Sequence, residues 1–252
     1  MTPRALIEVR GLCKRFGDVE VLNDLSLDVF EGETFVLLGA SGSGKTVLMK
    51  CLEGLLRPDA GTVRVDGHDV SGGKHKELDA THRILGVAFQ AGALFDSLSV
   101  FDNVAFPLRE AQRNHDEHEV KVRVMETLTL LGLDDAASKL PGELSGGMKK
   151  RVAFARAMVL RPRVLLADEP TAGLDPLTTV AVDDAIVAAQ KALGATAFII
   201  THDLPTAFRI ADRIGLLHDG RIIEAAPPKV FQASSHPAVK AFLREWLLTG
   251  GA

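Results

Sequence analysis

The most constraining feature of this sequence is a glycine-rich loop that follows a short apolar run. The run is Thr34–Leu38, and residues 39–46 read GASGSGKT, a complete G-x-x-x-x-G-K-[ST] pattern. Such glycines let backbone N–H groups turn toward a phosphate, and the positive end of the next helix adds to the attraction. The pattern therefore predicts a phosphate-binding loop between a buried strand and a helix over residues 45–56. Lys45 would reach the terminal phosphates, and Thr46 would offer a hydroxyl to Mg²⁺.

The glycines of this loop run G-x-x-G-x-G, so the dinucleotide-binding pattern G-x-G-x-x-G is excluded. Apolar patterning predicts further strands at residues 6–10, 21–29, 62–67, 164–167, 196–200 and 214–217. Helical spacing over residues 114–131 predicts a helical lobe in the middle of the chain. Strands that alternate with helices indicate an α/β fold with a parallel sheet, here interrupted by that insertion.

Two adjacent acids, Asp168 and Glu169, follow the apolar run at residues 164–167. Neighbouring side chains at the end of a strand point opposite ways, so Asp168 could enter a Mg²⁺ shell while Glu169 addresses an attacking water. An acid pair can also simply end a strand and cap a helix. The phosphate-binding loop favours the catalytic interpretation over that alternative.

Composition limits the remaining classes. The chain has 252 residues, is 46% apolar and 25% charged, and carries a net charge of -4, which suits a globular domain and not a nucleic-acid-binding surface. No apolar run approaches the ~20 residues of a spanning helix, and no export signal is visible at the start of the chain. Cys13 and Cys51 are far apart and favour free thiols, so we expect a cytoplasmic protein.

The string LSGG at residues 144–147 stands ahead of the acid pair. Together with Gln90, His202 and the turn at residues 172–175, it makes almost the whole chain resemble the ATP-binding cassette (ABC) ATPases. The resemblance implies a single domain with a P-loop NTPase (RecA-like) core. This core and an N-terminal antiparallel β subdomain would together cover about residues 1–90 and 160–252. An α-helical subdomain would be inserted at about residues 91–159.

The resemblance also implies roles for individual residues, with ATP and Mg²⁺ as cofactors. Glu169 would be the general base, His202 would hold the γ-phosphate and the water in line, and Gln90 would contact both metal and water. The metal ligands would be Thr46, Gln90 and Asp168. Nucleotide contacts would come from Phe16, Gly39, Ala40, Ser41, Gly42, Ser43, Gly44, Lys45, Thr46 and Val47, and, from an opposing subunit, Ser145, Gly146, Gly147 and Asp175.

Two residues depart from the common family pattern. Phe16 takes the place of the adenine-stacking aromatic in a chain without any Tyr, and Met148 stands where Gln is commoner. Phe keeps the stacking face and lacks only the hydroxyl. Met148 leaves the serine and glycine contacts in place.

The sequence of residues 89–95 and 100–110 resembles that of the ATPases of the Mla phospholipid-trafficking system and of related Mce-associated transporters. LSGGM at residues 144–148 resembles them too. This implies a peripheral subunit on the cytoplasmic face of the inner membrane, paired with a second copy of itself and not with nucleic acid. An integral membrane permease would dock near residues 90–110. An Mce-type lipid-binding protein and a small regulatory subunit are further expected partners, although Mla-type ATPases extend past their final helix whereas this sequence stops at Ala252.

Other interpretations remain open. Leu-Phe followed by Asp-Asn-Val occurs in many importer ATPases, so another ABC importer or exporter also fits. A soluble ABC ATPase of scaffold assembly, as in iron–sulfur cluster biogenesis, would share every nucleotide motif. A DNA-repair cassette is disfavoured because no long coiled-coil heptads interrupt the chain. Near the C-terminus, apolar residues at helical spacing predict an amphipathic helix that packs on its own domain or meets a partner.

Overall fold

The computed structural model describes residues 4–73, 75–89, 92–111 and 116–249. Its strands are β1 (Ala5–Phe16), β2 (Val19–Phe30), β3 (Thr34–Leu38), β4 (Ala60–Val65), β5 (His68–Asp69), β6 (Leu85–Ala88), β7 (Val164–Asp168), β8 (Thr196–Ile200), β9 (Arg213–His218) and β10 (Arg221–Ala226). Its helices are α1 (Lys45–Leu52), α2 (His75–His82), α3 (Val100–Ala111), α4 (Glu117–Leu130), α5 (Gly146–Met158), α6 (Pro176–Leu193), α7 (Leu204–Ile210), α8 (Pro228–Gln232) and α9 (Pro237–Thr249). The α/β class predicted from the sequence is confirmed.

The chain forms two compact units. The first combines the residues up to Leu85 with those from Thr196 onward, and the second comprises residues 86–195. The division into a core with a β subdomain and a helical subdomain at residues 91–159 stays a prediction from the sequence.

An antiparallel sheet in the first unit has the strand order β2-β1-β4-β5. Ile7 of β1 pairs with Val65 of β4, and Val9 pairs with Val63. All four side chains are buried, because residues two apart on a strand share one face. In the strand predicted at residues 6–10, Ile7 and Val9 therefore lie on the buried face of this sheet, and Leu6 is buried as well.

The first unit also contains β10, β9, β3 and β8, which are neighbours in that order. Strand β3 runs parallel to both β8 and β9. Every residue of β3 and β8 is buried, and the rings of Phe35 and Phe198 stack with centroids 5.8 Å apart. Leu37 pairs with Ile200, so the carboxyl ends of β3 and β8 lie side by side at one edge of the sheet.

The second unit contains the adjacent strands β6 and β7 and the helices α3 to α6. Helix α4 begins where Asp116 caps it by accepting a hydrogen bond from the His118 N–H. Val120, Val124 and Leu128 are buried on one face, as their spacing in the sequence predicts. Of the predicted helical stretch at residues 114–131, residues 114 and 115 lie outside the described chain.

The structure corrects several predicted boundaries. The helix predicted over residues 45–56 ends at Leu52, because Gly54 takes a left-handed backbone with φ of +71°. Strands β5, β6 and β10 were not predicted from the sequence. Strand β10 follows β9 through Asp219 and Gly220, with φ of +49° and +73°. Asp-Gly with both φ values positive is a hairpin turn of type I′, and that dipeptide is the signal from which β10 could have been predicted.

The predicted C-terminal amphipathic helix is α9, which contacts β10. Val239 is fully buried, Phe242 and Trp246 are partly covered, and Leu247 is 72% exposed. The buried side therefore packs on its own unit, as one of the two interpretations expects. Within the described ranges, no helix combines the length and the apolar character that a membrane crossing requires.

Candidate functional site

The phosphate-binding loop occupies the turn between β3 and α1 in the first unit. Gly39 is buried, and a Cβ built on it would lie 2.6 Å from the Leu217 carbonyl oxygen and 2.7 Å from Ser43 Oγ. Gly44 has φ of +105°, which side chains rarely tolerate. Both positions therefore require glycine, for space in one case and for backbone conformation in the other.

Residues 39–46 fit a polyphosphate ligand. Gly44 is the N-cap residue of α1 and has no side chain with which to cap it, and the first turn carries no acid. The Lys45 side chain is buried, and its Nζ donates to the carbonyl oxygens of Gly39 at 2.7 Å and Ala40 at 3.0 Å. Ser43 Oγ is buried without a hydrogen-bond partner in the described chain. The start of α1 without a side-chain cap, the Lys45 ammonium and the Ser43 hydroxyl are together suited to bind an anion.

The same edge of the sheet carries His202. Its strand, β8, ends at Ile200 beside Leu37, and the Thr201 N–H donates to the Leu37 carbonyl at 3.2 Å. His202 is exposed and is followed by Asp203, which caps α7 by accepting from the Thr206 N–H at 2.9 Å. The structure thus brings His202 and the glycine-rich loop to neighbouring strand ends, as a role for His202 near the phosphate requires.

Phe16 lies at the end of β1 in the first unit. Its ring is 48% exposed, and Lys14 Nζ lies 5.5 Å from the ring centroid. An exposed ring keeps a face open for stacking on a planar ligand. The adenine-stacking role of Phe16 stays a prediction.

The acid pair lies at the carboxyl end of β7 in the second unit. Asp168 is the last residue of the strand, and Glu169 lies beyond it with φ of +49° and an exposed fraction of 9%. The prediction that strand alternation turns the two side chains opposite ways is therefore wrong in its reason, because Glu169 is not in strand conformation. Its direction is set by a left-handed turn instead.

Lys150, which the sequence analysis did not single out, lies beside this pair. Its Nζ is 3.5 Å from the Glu169 carbonyl oxygen. Burial lowers the pKa of Lys150, and the carboxylates of Glu169 and Asp168 oppose that shift. No local motif marks this lysine, since it lies on α5 and approaches the acids only in the folded chain. The structure thus adds a cation to the surroundings of the acid pair.

The LSGG string forms the start of α5. Ser145 caps the helix by accepting from the Met148 N–H at 3.3 Å, and Gly146 and Gly147 lie in its first turn. A Cβ on Gly147 would fall 2.4 Å from Thr178 Cγ2 of α6. Glycine at this position lets the starts of α5 and α6 approach each other closely.

Asp175 caps the start of α6, the helix whose Thr178 lies against Gly147. Its Oδ1 accepts from the N–H groups of Leu177 and Thr178, each at 3.1 Å. Hydrogen bonds from the side chain and the backbone of Thr178 hold the pKa of Asp175 below its usual range. The structure therefore gathers Ser145, Gly146, Gly147 and Asp175 around two adjacent helix starts. Gln90, the remaining predicted site residue, lies outside the described residues.

A pair of exposed aromatic rings lies in the segment predicted to dock a permease. Phe95 and Phe106 are 43% and 38% exposed, and their ring centroids are 4.8 Å apart. Leu94 and Leu98 are partly covered. Large apolar groups that meet at a surface are typical of contact sites.

The family of this chain follows from comparisons with known proteins. The sequence model of the family described as ABC transporter matches residues 22–172. A probable ribonucleotide transport ATP-binding protein, mkl, of Mycobacterium leprae is 44% identical over 237 residues, which are 94% of this chain and 68% of that protein. The methionine import ATP-binding protein MetN of Carboxydothermus hydrogenoformans is 41% identical over 226 residues, covering 89% of this chain and 66% of that protein. The chain thus spans about two thirds of the length of these relatives.

Solved structures resemble the fold closely. The dimeric structure of MJ0796, a bacterial ABC transporter cassette, matches with a TM-score of 0.79 at 30% identity, over 88% of this chain and 98% of that chain. Another structure of MJ0796, in a post-hydrolysis state with ADP and Pi, has a TM-score of 0.78 at 30% identity. CbiO1 of Clostridium perfringens, part of the ABC transporter complex cbiONQ, has a TM-score of 0.83 at 31% identity, over 97% of this chain and 95% of that chain. The predicted ABC ATPase fold is confirmed, and the chain belongs to the ABC transporter family as its ATPase, which uses ATP with Mg²⁺.

Proposed function

We propose that this chain drives a membrane permease that docks on the surface near residues 90–110. The observation that carries the proposal is the exposed pair Phe95 and Phe106, whose contacting rings form an apolar patch on the second unit. Water-exposed aromatic area is better covered by a partner than left in solvent. A helix of the permease seated there would move with this segment, which is how an ATPase without a spanning helix in its described part could act on a membrane.

The roles of the site residues are part of the same proposal. Bound ATP with Mg²⁺ supplies a phosphoryl group activated for transfer to water. Lys45 would donate to the terminal phosphates, and Thr46 and Asp168 would offer the hard oxygen ligands that Mg²⁺ prefers. Glu169 would accept the proton of the attacking water, and His202 would orient the phosphate by a hydrogen bond. Gln90 is proposed as a further contact to metal and water.

We also propose that two copies of the chain act together at the cytoplasmic face of the inner membrane. Ser145 and Gly146 are exposed at the start of α5, and such a helix start attracts phosphate held by another chain. The dimeric MJ0796 cassette supports this arrangement by similarity. An Mce-type lipid-binding protein and a small regulatory subunit are proposed as further components of the assembly.

The proposed cargo is phospholipid. Its support is the similarity of residues 89–95, 100–110 and 144–148 to the Mla-type ATPases. The names of the relatives mkl and MetN make ribonucleotides and methionine the competing cargoes. Cells without this chain should be compared with cells that carry the wild type or Glu169→Gln. We expect an altered distribution of phospholipids between membranes in both deficient strains. Unaltered lipids together with lost uptake of labelled ribonucleotide or methionine would assign the other cargo.

The docking surface is tested with Phe106→Asp, which places a charge where the permease would remove water. We expect permease co-purification from detergent extracts to be lost while ATP binding is kept. Leu130→Asp is the matched control, since Leu130 lies on α4 of the same unit and is similarly exposed at 40% against 38%. Undiminished co-purification with Phe106→Asp would contradict the proposed surface. A stable complex with soluble proteins only would favour the scaffold-assembly alternative.

A further inference from the structure

Residues 92–99, which precede α3 and carry Phe95, are held by Arg156, a partly buried arginine of α5. Arg156 Nη1 donates to the Ala93 carbonyl at 2.6 Å, and Nη2 donates to the Gly92 carbonyl at 2.7 Å. The guanidinium carbon also lies 5.9 Å from the centroid of the Phe95 ring. One side chain therefore contacts both the backbone of this segment and its exposed aromatic ring.

A second anchor comes from α3. Asn103 is fully buried, and its Oδ1 accepts from the Phe95 N–H at 2.8 Å. Its Nδ2 donates to the carbonyls of Phe95 at 3.1 Å and of Leu98 and Ser99 at 3.0 Å each. The amide thus fixes the turn between residues 95 and 99 as one body with α3. Helix α3 packs on α5, and Arg156 adds hydrogen bonds from α5 to residues 92 and 93.

Helix α5 links Arg156 to the LSGG string. Ser145 caps the helix, and Arg156 follows eleven positions later, about 16 Å along the axis at 1.5 Å per residue. Gly92 lies against the same helix, since a Cβ built there would be 3.6 Å from the Ala153 Cβ. Val152, Ala153, Phe154 and Ala155 are buried, and a packed helix of this kind moves as a rigid body.

We propose that Arg156 is a positioning residue that couples the position of Phe95 to that of Ser145. When the start of α5 moves, Arg156 would move Phe95 with it. A displacement of the start of α5 by nucleotide would then reach the docking surface through the two hydrogen bonds of one guanidinium. This inference rests on the proposed docking function of residues 90–110. Partial burial of a guanidinium is costly unless its donors are used; it lowers the pKa of Arg156, and both terminal nitrogens donate to carbonyls.

The test uses the complete transporter in phospholipid vesicles and compares its ATPase rate with that of the isolated subunit. Arg156→Met removes both hydrogen bonds and the contact with the ring. We expect the isolated subunit to keep about its wild-type rate and the permease to co-purify. The ratio of complex to subunit should fall by about fivefold or more, which corresponds to the lower end of usual coupling energies.

Arg151→Met is the matched control on the same helix. Arg151 Nη1 also donates to two backbone carbonyls, those of Leu131 at 2.9 Å and Gly132 at 3.3 Å, but at the end of α4. We expect Arg151→Met to lower the melting temperature about as much as Arg156→Met does. The ratio of the ATPase rate of the complex to that of the subunit should stay unchanged. An equal loss of the ratio in Arg151→Met would overturn the positioning role, because general loosening of α5 would then explain it.

Failure of this inference is distinguishable from failure of the docking proposal. A wild-type ratio in Arg156→Met, with co-purification lost in Phe106→Asp, overturns only the role of Arg156. Should Arg156→Met not fold, Arg156→Lys replaces it, since one ammonium can reach a carbonyl but cannot span two as a planar fork does. An intermediate ratio is then expected, and a wild-type ratio would overturn the role of the guanidinium.

Discussion

Glu169 combines burial, an acid and an unusual backbone in one residue. It is 9% exposed and has φ of +49°, a conformation that costs a residue with a Cβ about 1 kcal/mol. Lys150 lies close to its carbonyl oxygen. A residue held in this way has a fixed position, which is what a general base needs in order to meet one water molecule repeatedly.

The first prediction concerns Glu169→Gln, which keeps the shape of the side chain and removes its ability to accept a proton. We expect ATP hydrolysis to fall by ~100-fold or more while ATP still binds. Turnover and nucleotide affinity should be measured on the assembled transporter. Glu126→Gln, at an exposed acid paired with Arg161 in the same unit, is the control and should keep normal turnover. A Glu169→Gln enzyme with near-normal turnover would exclude Glu169 as the base.

The second prediction separates binding from chemistry at the phosphate. Lys45→Ala deletes the cation of the glycine-rich loop and should weaken nucleotide binding itself, since hydrogen bonds from a charged donor to phosphate are strong. His202→Ala should chiefly lower turnover and leave affinity nearly unchanged. Lys50→Ala, an exposed lysine of the same helix α1, is the control. Isothermal titration that gives Lys45→Ala the wild-type affinity would contradict the assignment.

At the scale of elements, α1 carries a testable thiol. Cys51 is fully buried, and burial raises its pKa to about 11. Only thiolate reacts with disulfide reagents, so Cys51 should stay unlabelled at pH 8 in the folded protein. We expect one fast thiol, from the partly exposed Cys13, and a second only after denaturation. In Cys13→Ser no fast thiol should remain, and rapid labelling of that variant would show that α1 opens readily.

The elements also show what a sequence can predict. Strands β3 and β8 were predicted with their observed ends, because continuous apolar runs bounded by polar residues have one plausible place in a sheet. Strand β6 has four residues and β5 has two, too few to reveal a period. The motifs at residues 39–46 and 144–147 predict part of the candidate site, and they lie at the starts of α1 and α5. The contacts of Lys150 and Arg156 depend on tertiary packing, which no local pattern contains.

At the scale of the whole molecule, the proposed dimer predicts complementation between two inactive variants. Ser145→Arg disrupts the surface offered to the partner, and Lys45→Ala disrupts nucleotide binding in its own chain. In a mixed dimer with head-to-tail geometry both lesions fall in one composite site, and the other is intact. ATP-dependent dimers should therefore form in the mixture and not with either variant alone, as measured by size-exclusion chromatography with light scattering. A mixture without dimers, when the wild type forms them, would contradict the composite geometry.

The anchors of residues 92–99 have a consequence for how this family of proteins can diversify. Arg156 and Asn103 bond to backbone N–H and carbonyl groups of this segment, apart from the contact of Arg156 with the Phe95 ring. Every residue other than proline presents the same backbone groups, so these bonds are indifferent to the side chains at Leu94, Asp96 and Ser97. Substitutions in this segment could consequently suit a different proposed partner while the hydrogen bonds that attach it to α3 and α5 are retained.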